Sequence, residues 1–184
     1  MHKFLLIFRL FLLSPFAAAA SAQHHDSPSF TLSDGDRILF LGDSITREGS
    51  WWAVAERLVL QRFPDLETTW LNAGISGDTA SGALRRLEWD VFPRNPTHVV
   101  LMMGMNDIGL SRFLPGATPP TPAEEQRTLD DYAAAMSELV RTLKSRDLHI
   151  ILCTPPPYGE TADLDTPSPT GANRLLAECA RITR

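Results

Sequence analysis

Short, nearly continuous apolar runs alternate with stretches of helical periodicity through most of this chain, and that alternation restricts it to one kind of architecture. Arg37 to Gly42 (RILFLG), His98 to Met103 (HVVLMM) and His149 to Cys153 (HIILC) read as strands covered on both faces. A strand with one wet face would instead alternate apolar and polar side chains. Thr68 to Asn72 (TTWLN) reads as a fourth strand. Between and after them apolar residues recur at a spacing of 3.6: Trp51, Val54, Ala55 and Leu58; Ala80, Ala83, Leu84, Leu87 and Val91; Leu129 to Leu143; and Ala172, Leu175, Leu176, Cys179 and Ile182. All four stripes are expected to pack as core. Strand and helix in turn predict an α/β domain with a parallel sheet, and no internal repeat or linker divides it.

The amino-terminal segment follows a different rule. Met1 to Arg9 carries Lys3 and Arg9, Leu10 to Ala20 is almost wholly apolar, and Ala20-Ser21-Ala22 is a small-residue cleavage pattern. This is the make-up of a secretory signal peptide, and the apolar run is about half the roughly 20 residues that a spanning helix needs. The expected organisation is a signal peptide over 1–22, a polar leader over 23–34 and one domain over 35–184, exported to the periplasm or beyond the cell. Charge narrows the partners. Seventeen Lys plus Arg against 22 Asp plus Glu leave no cationic surface for a phosphate backbone, so nucleic acid is excluded, and acidic membranes would repel the product. Cys153 and Cys179 lack metal-ligand spacing and read as two small buried hydrophobes.

Three small motifs follow the first three strands: Gly42-Asp43-Ser44, Ser76-Gly77-Asp78 and Gly104-Met105-Asn106-Asp107. Right-handed crossovers carry all three to one edge of the sheet, and a strand order beginning 2-1-3 would make them neighbours around one crevice. Acyl transfer assigns them roles. The Ser44 hydroxyl can attack a carbonyl, while the N–H groups of Ser44 and Gly77 and the carboxamide of Asn106 can hold the oxygen that turns negative. Each motif alone is weak, since Gly-Asp-Ser and Asn are common in turns.

Together FLGDSIT (Phe40 to Thr46), NAGISGDT (Asn72 to Thr79) and GMND (Gly104 to Asp107) resemble the SGNH or GDSL-type esterases and lipases, over about Arg37 to Pro155. The resemblance implies a flavodoxin-like three-layer α/β/α sandwich, Ser44 as nucleophile, and Gly77 and Asn106 completing the oxyanion hole, with no metal or organic cofactor. It implies a small-molecule or carbohydrate ester as substrate.

One part of the family pattern is absent. Such enzymes place a histidine, preceded three residues earlier by aspartate, near their carboxyl terminus, and this sequence has no Asp-x-x-His. His2 falls in the signal peptide, His24 and His25 in the leader, and His98 and His149 at the starts of strands, about 20 Å from the catalytic edge. Glu160, Asp163 and Asp165 lie in a loop on the correct edge and read as solvated acids. The chain ends at Arg184 directly after its fourth helix, where the alternation would deliver a fifth strand, so the expectation is a truncated domain with an exposed apolar edge and impaired activity. The competing reading is a non-catalytic or carbohydrate-binding module using the same crevice, with Trp51 or Trp52 at its rim. Phosphoryl or flavin chemistry at Asp43 is disfavoured, because Ile45 stands where an Asp-x-Asp pair needs its second carboxylate and no Gly-Lys phosphate loop occurs.

Overall fold

A computed structural model describes residues 31–161 and 168–184. The proposed signal peptide, most of the leader, Asp163 and Asp165 therefore lie outside the described residues. Four strands, β1 (Arg37–Gly42), β2 (Thr69–Gly74), β3 (His98–Met102) and β4 (His149–Cys153), form a parallel sheet in the order β2-β1-β3-β4. Every crossover carries helix: α1 (Ser44–Glu48) and α2 (Ser50–Arg62) follow β1, α3 (Ala80–Arg86) follows β2, α4 (Pro122–Lys144) follows β3 and α5 (Ala172–Thr183) follows β4. This is the parallel α/β sheet expected from the alternation, in the flavodoxin-like three-layer arrangement that the resemblance implies. Strand β2 runs two residues past the expected Asn72, because Ala73 and Gly74 still pair with Leu41 and Gly42 of β1.

The sheet's two faces are unequally covered. Leu39, Leu41, Val99 and Leu101 point into a large core with Ala83 and Leu87, Tyr132, Met136 and Leu139 of α4, and Leu175, Leu176 and Cys179 of α5. The second helical stripe does not continue as one α-helix: it is α-helical to Arg86 and π-helical over Leu87–Val91, with Leu87 and Val91 still buried. Helix α4 opens with Pro122 in its first turn and a capping box, in which Thr121 accepts from the Glu124 N–H and Glu124 accepts from the Thr121 N–H. Pro122 is thus the first residue of the helix.

The opposite face carries a much smaller buried cluster, Ile38, Phe40 and Val100, packed by Leu32, Trp51, Trp52 and Trp70. Phe40 is its centre, stacked on Trp52 and Trp70 and met edge-on by Trp51, with centroids 5.1, 5.6 and 5.4 Å away. This corrects the expectation that the α2 stripe is core. No residue of α2 is fully buried, and Val54 and Leu58 are 58% and 60% exposed, because only the two tryptophans reach the sheet. Cys153 is corrected for the same reason: Cys179 is buried, but Cys153 at the β4 edge of the thin face is half-exposed, and both thiols are free.

At the amino edge His98 and His149 pair across β3 and β4, their rings stacked at 4.7 Å, with the Thr97 hydroxyl 2.8 Å from His98 Nδ1. Among the described residues, no helix is long and apolar enough to cross a membrane.

The unequal layers lead to a paired expectation. Leu139→Ala, at a fully buried position, should cost about 2 to 5 kcal/mol in urea denaturation, whereas Leu58→Ala should stay within about 0.5 kcal/mol. Similar costs for both would mean that α2 buries its stripe in solution.

Candidate active site

Gly42, the last residue of β1, has no room for a side chain: a Cβ there would lie 2.0 Å from Thr46 Oγ1 and 2.9 Å from the Met102 carbonyl oxygen. That close approach lets α1 turn back across the carboxyl ends of the strands. Asp43 caps the helix, its Oδ1 accepting from the Ile45 N–H at 2.9 Å. Ser44 is therefore the first helical residue, exposed, and its N–H has no partner within the helix. The far end of α1 is tied down by two side chains, Asn72 Nδ2 donating to the Arg47 carbonyl at 3.0 Å and Trp52 Nε1 to the Thr46 carbonyl at 3.0 Å.

The second loop leaves β2 through Ile75, whose N–H donates to the Gly42 carbonyl at 3.0 Å and so ties this loop to the end of β1. Gly77 is exposed and has φ +77°, a left-handed conformation that glycine adopts without Cβ strain. Its N–H makes no hydrogen bond among the described residues, while its neighbour Asp78 is fully engaged. Asp78 Oδ1 accepts from the Thr79 N–H at 2.9 Å, and Oδ2 accepts from Arg86 Nε at 2.8 Å.

Asn106 joins the loops. Its Nδ2 donates to the Asp78 carbonyl at 2.8 Å and lies 3.5 Å from Asp43 Oδ2, so one carboxamide touches the residue before Ser44 and the residue after Gly77. Next to it, Asp107 Oδ1 accepts from the Ala80 N–H at 2.8 Å, at the start of α3. Burial pushes the Asp107 carboxyl up to about 6, opposed in part by backbone N–H groups and reinforced by Asp43. Burial also raises Asp43, against the Ile45 N–H that holds its charged form.

The candidates from sequence thus gather as follows. Asn106 is in direct contact with the Gly-Asp-Ser turn and with the Gly77 loop, and Ser44 and Gly77 are the exposed neighbours of the two residues it touches. His98 and His149 stand at the opposite ends of five-residue strands, about 16 Å away along the strand. Glu160 is not a free solvated acid: its Oε1 accepts from the Asn173 N–H at 2.7 Å, at the start of α5. Trp51 and Trp52 pack on Phe40 rather than offering a ring at a rim, which removes the feature that favoured carbohydrate binding.

Arg86 is the residue that sequence reasoning missed. Its guanidinium, 4% exposed, is 2.8 Å from Asp78 Oδ2 and 2.5 Å from Asp90 Oδ2, and its Nη2 donates to the carbonyls of Ala73 at 2.8 Å and Gly42 at 3.3 Å. Asp90 also pairs with Arg94, which donates to the Asn72 carbonyl at 2.8 Å. The available signal was an arginine inside an apolar stripe, followed four residues later by an aspartate.

A serine at the start of a helix, on the carboxyl edge of a 2-1-3-4 parallel sheet and beside a half-buried carboxamide, defines an α/β protein of the SGNH esterase type. Residues 40–183 match the GDSL-like Lipase/Acylhydrolase family, and the chain belongs to it. It is 34% identical over 139 residues to an acetylxylan esterase of Geobacillus stearothermophilus, covering 67% of this chain and 61% of that protein. It is 31% identical over 129 residues to esterase TesA of Pseudomonas aeruginosa, covering 66% and 57%. The chain thus spans about three fifths of the length of these curated relatives. Among solved structures, a gut microbial diltiazem-metabolizing enzyme superposes with a TM-score of 0.72 at 27% identity, over 82% of this chain and 34% of that one. Axe2, an acetylxylan esterase from Geobacillus stearothermophilus, superposes with a TM-score of 0.66 at 28% identity, over 84% and 72%. Solved catalytic mutants of Axe2 replace a serine, an aspartate or a histidine by alanine.

Removing the guanidinium would leave Asp78 Oδ2 and the Ala73 carbonyl without their donor and take one of two partners from Asp90 and from the Gly42 carbonyl. Arg86→Met is expected to lose about 3 to 5 kcal/mol in urea denaturation, with Arg86→Lys recovering part of it. A loss below about 1 kcal/mol would show that the network does not hold the loops.

Proposed function

We propose that residues 35–184 form the acyl-transfer domain of an exported ester hydrolase in which Ser44 accepts the acyl group. The observation that carries the reading is the placement of Asn106 Nδ2, 2.8 Å from the Asp78 carbonyl and 3.5 Å from Asp43 Oδ2. Its first amide hydrogen is spent on Asp78. The second faces Asp43 at a distance too long for a strong bond, and is the one a developing oxyanion would take.

In this mechanism Ser44 Oγ attacks the ester carbonyl carbon, and the carbonyl oxygen gains a full negative charge. The N–H groups of Ser44 and Gly77 and the free hydrogen of Asn106 receive it, all three neutral donors already fixed before the substrate arrives. Collapse expels the alcohol, and water then releases the acid from the acyl-serine. The hydroxyl proton needs an imidazole to accept it, and the described histidines stand at the other end of the sheet. The proposal therefore divides the chemistry: nucleophile and oxyanion stabilisation come from residues 42–107, and proton transfer from an imidazole outside the described residues. Without that base, oxyanion stabilisation and binding alone leave about 10³ to 10⁴-fold over water. The resemblance to acetylxylan esterases supports a short acyl group on a carbohydrate alcohol as the substrate class.

Fluorophosphonate labelling followed by peptide mapping, together with hydrolysis of a short-chain aryl ester, tests this reading. Label is expected on Ser44, slowly for residues 1–184 alone, and Ser44→Ala should abolish both label and turnover. Asn106→Ala should lower the rate by about 10² to 10³. Turnover that persists in Ser44→Ala would overturn the assignment.

A further inference from the structure

Two consecutive side chains of the third loop grip two backbone groups of the second. Asn106 Nδ2 donates to the Asp78 carbonyl and Asp107 Oδ1 accepts from the Ala80 N–H, each at 2.8 Å, so the peptide groups on both sides of Thr79 are held from one direction. The proposed acyl transfer uses Asn106 but leaves Asp107 without a task. We propose that Asp107 is a positioning residue for the oxyanion side of the site: together with Asn106 it clamps the Asp78 to Ala80 segment and thereby fixes the placement of the Gly77 N–H. This rests on the acyl-transfer reading for its purpose, but the clamp can be tested without turnover.

The grip has chemical specificity. A carboxylate accepts a hydrogen bond from a backbone N–H more strongly than a carboxylic acid does, so the clamp tightens as Asp107 loses its proton. The groups whose charge it meets come from three directions: Asp43 from the turn after β1, Tyr132 from α4 and Cys179 from α5. Tyr132 and Cys179 are both raised by burial, Cys179 to about 12, and so stay neutral over the range where Asp107 titrates. Asp43 alone among these three is a second carboxyl, raised from its ordinary value, and the experiment must separate it. Asp107 Oδ2 is sealed from solvent and takes no hydrogen bond from the described residues, so the charge is satisfied through Oδ1 and the loop it holds. The Gly77 N–H lies one residue before the clamped segment, at a left-handed φ that leaves its orientation dependent on what anchors Asp78.

The test is a titration of the whole chain by ¹⁵N–¹H correlation spectroscopy from pH 4.5 to 8, repeated on Asp107→Asn and on Asp43→Asn. The Ala80 and Gly77 amide signals are expected to move together with a midpoint near 6, to keep that midpoint in Asp43→Asn and to lose it in Asp107→Asn. Movement of Ala80 without Gly77 would overturn the proposal, because Asp107 would then only cap α3. So would signals that stay fixed, or a titration that survives in Asp107→Asn. If Asp107→Asn fails to fold, the Asp107 carboxyl ¹³C signal of the parent chain decides: a midpoint shared with Gly77 supports the clamp, and a different one overturns it. Fluorophosphonate labelling of Ser44 is independent of these signals, so failure of the acyl-transfer reading and failure of the clamp remain distinguishable.

Discussion

A single buried guanidinium holds the carboxyl edge of this sheet together. Carbonyls at the ends of parallel strands point out of the ladder with no partner of their own, and burying them unpaired is costly. Arg86 takes the carbonyl of Ala73, one residue before the end of β2, shares that of Gly42, the last residue of β1, with the Ile75 N–H, and balances its charge on Asp78 and Asp90. Because Asp78 is also the residue whose carbonyl receives Asn106, the charge network and the proposed oxyanion donors share one backbone segment. Placement of the site is in this sense a by-product of satisfying strand ends.

Much of this was legible in sequence, for identifiable reasons. Strands β1 and β3 lie where their apolar runs lie, because a central strand covered on both faces writes an unbroken hydrophobic signal. The run at His149 to Cys153 writes the same signal, yet β4 is an edge strand with no fully buried residue and Leu152 is exposed, which corrects the expectation that it is covered on both faces. The 2-1-3 order made the three motifs neighbours, as their positions after successive strands required. The α2 stripe misled because periodicity reports which side of a helix is apolar and says nothing of whether another layer covers it. Trp51 and Trp52 reach Phe40, whereas Val54 and Leu58 have the same spacing and remain exposed.

Side-chain networks were the least legible part. Arg86 sits among alanines and leucines with Asp90 four residues on, a spacing that an exposed ion pair on a helix shares, so the pattern alone does not say that the pair is buried. Asn106 was expected to serve the oxyanion alone, yet its first hydrogen bond is structural. That double use depends on which carbonyl lies 2.8 Å away, which no spacing in the chain encodes.

The uneven coverage of the sheet also bears on how the site opens. Gly77, Asn106 and Asp107 hang from the side packed by α3, α4 and α5, where the larger core lies. Ser44 belongs to a five-residue helix whose last carbonyls depend on Asn72 and on Trp52 of the thinly covered layer. Attacking group and charge-stabilising groups therefore belong to cooperative units of unequal strength. A local opening that begins at α2 can displace the nucleophile, and the Ser44 N–H with it, while Gly77 and Asn106 stay in place.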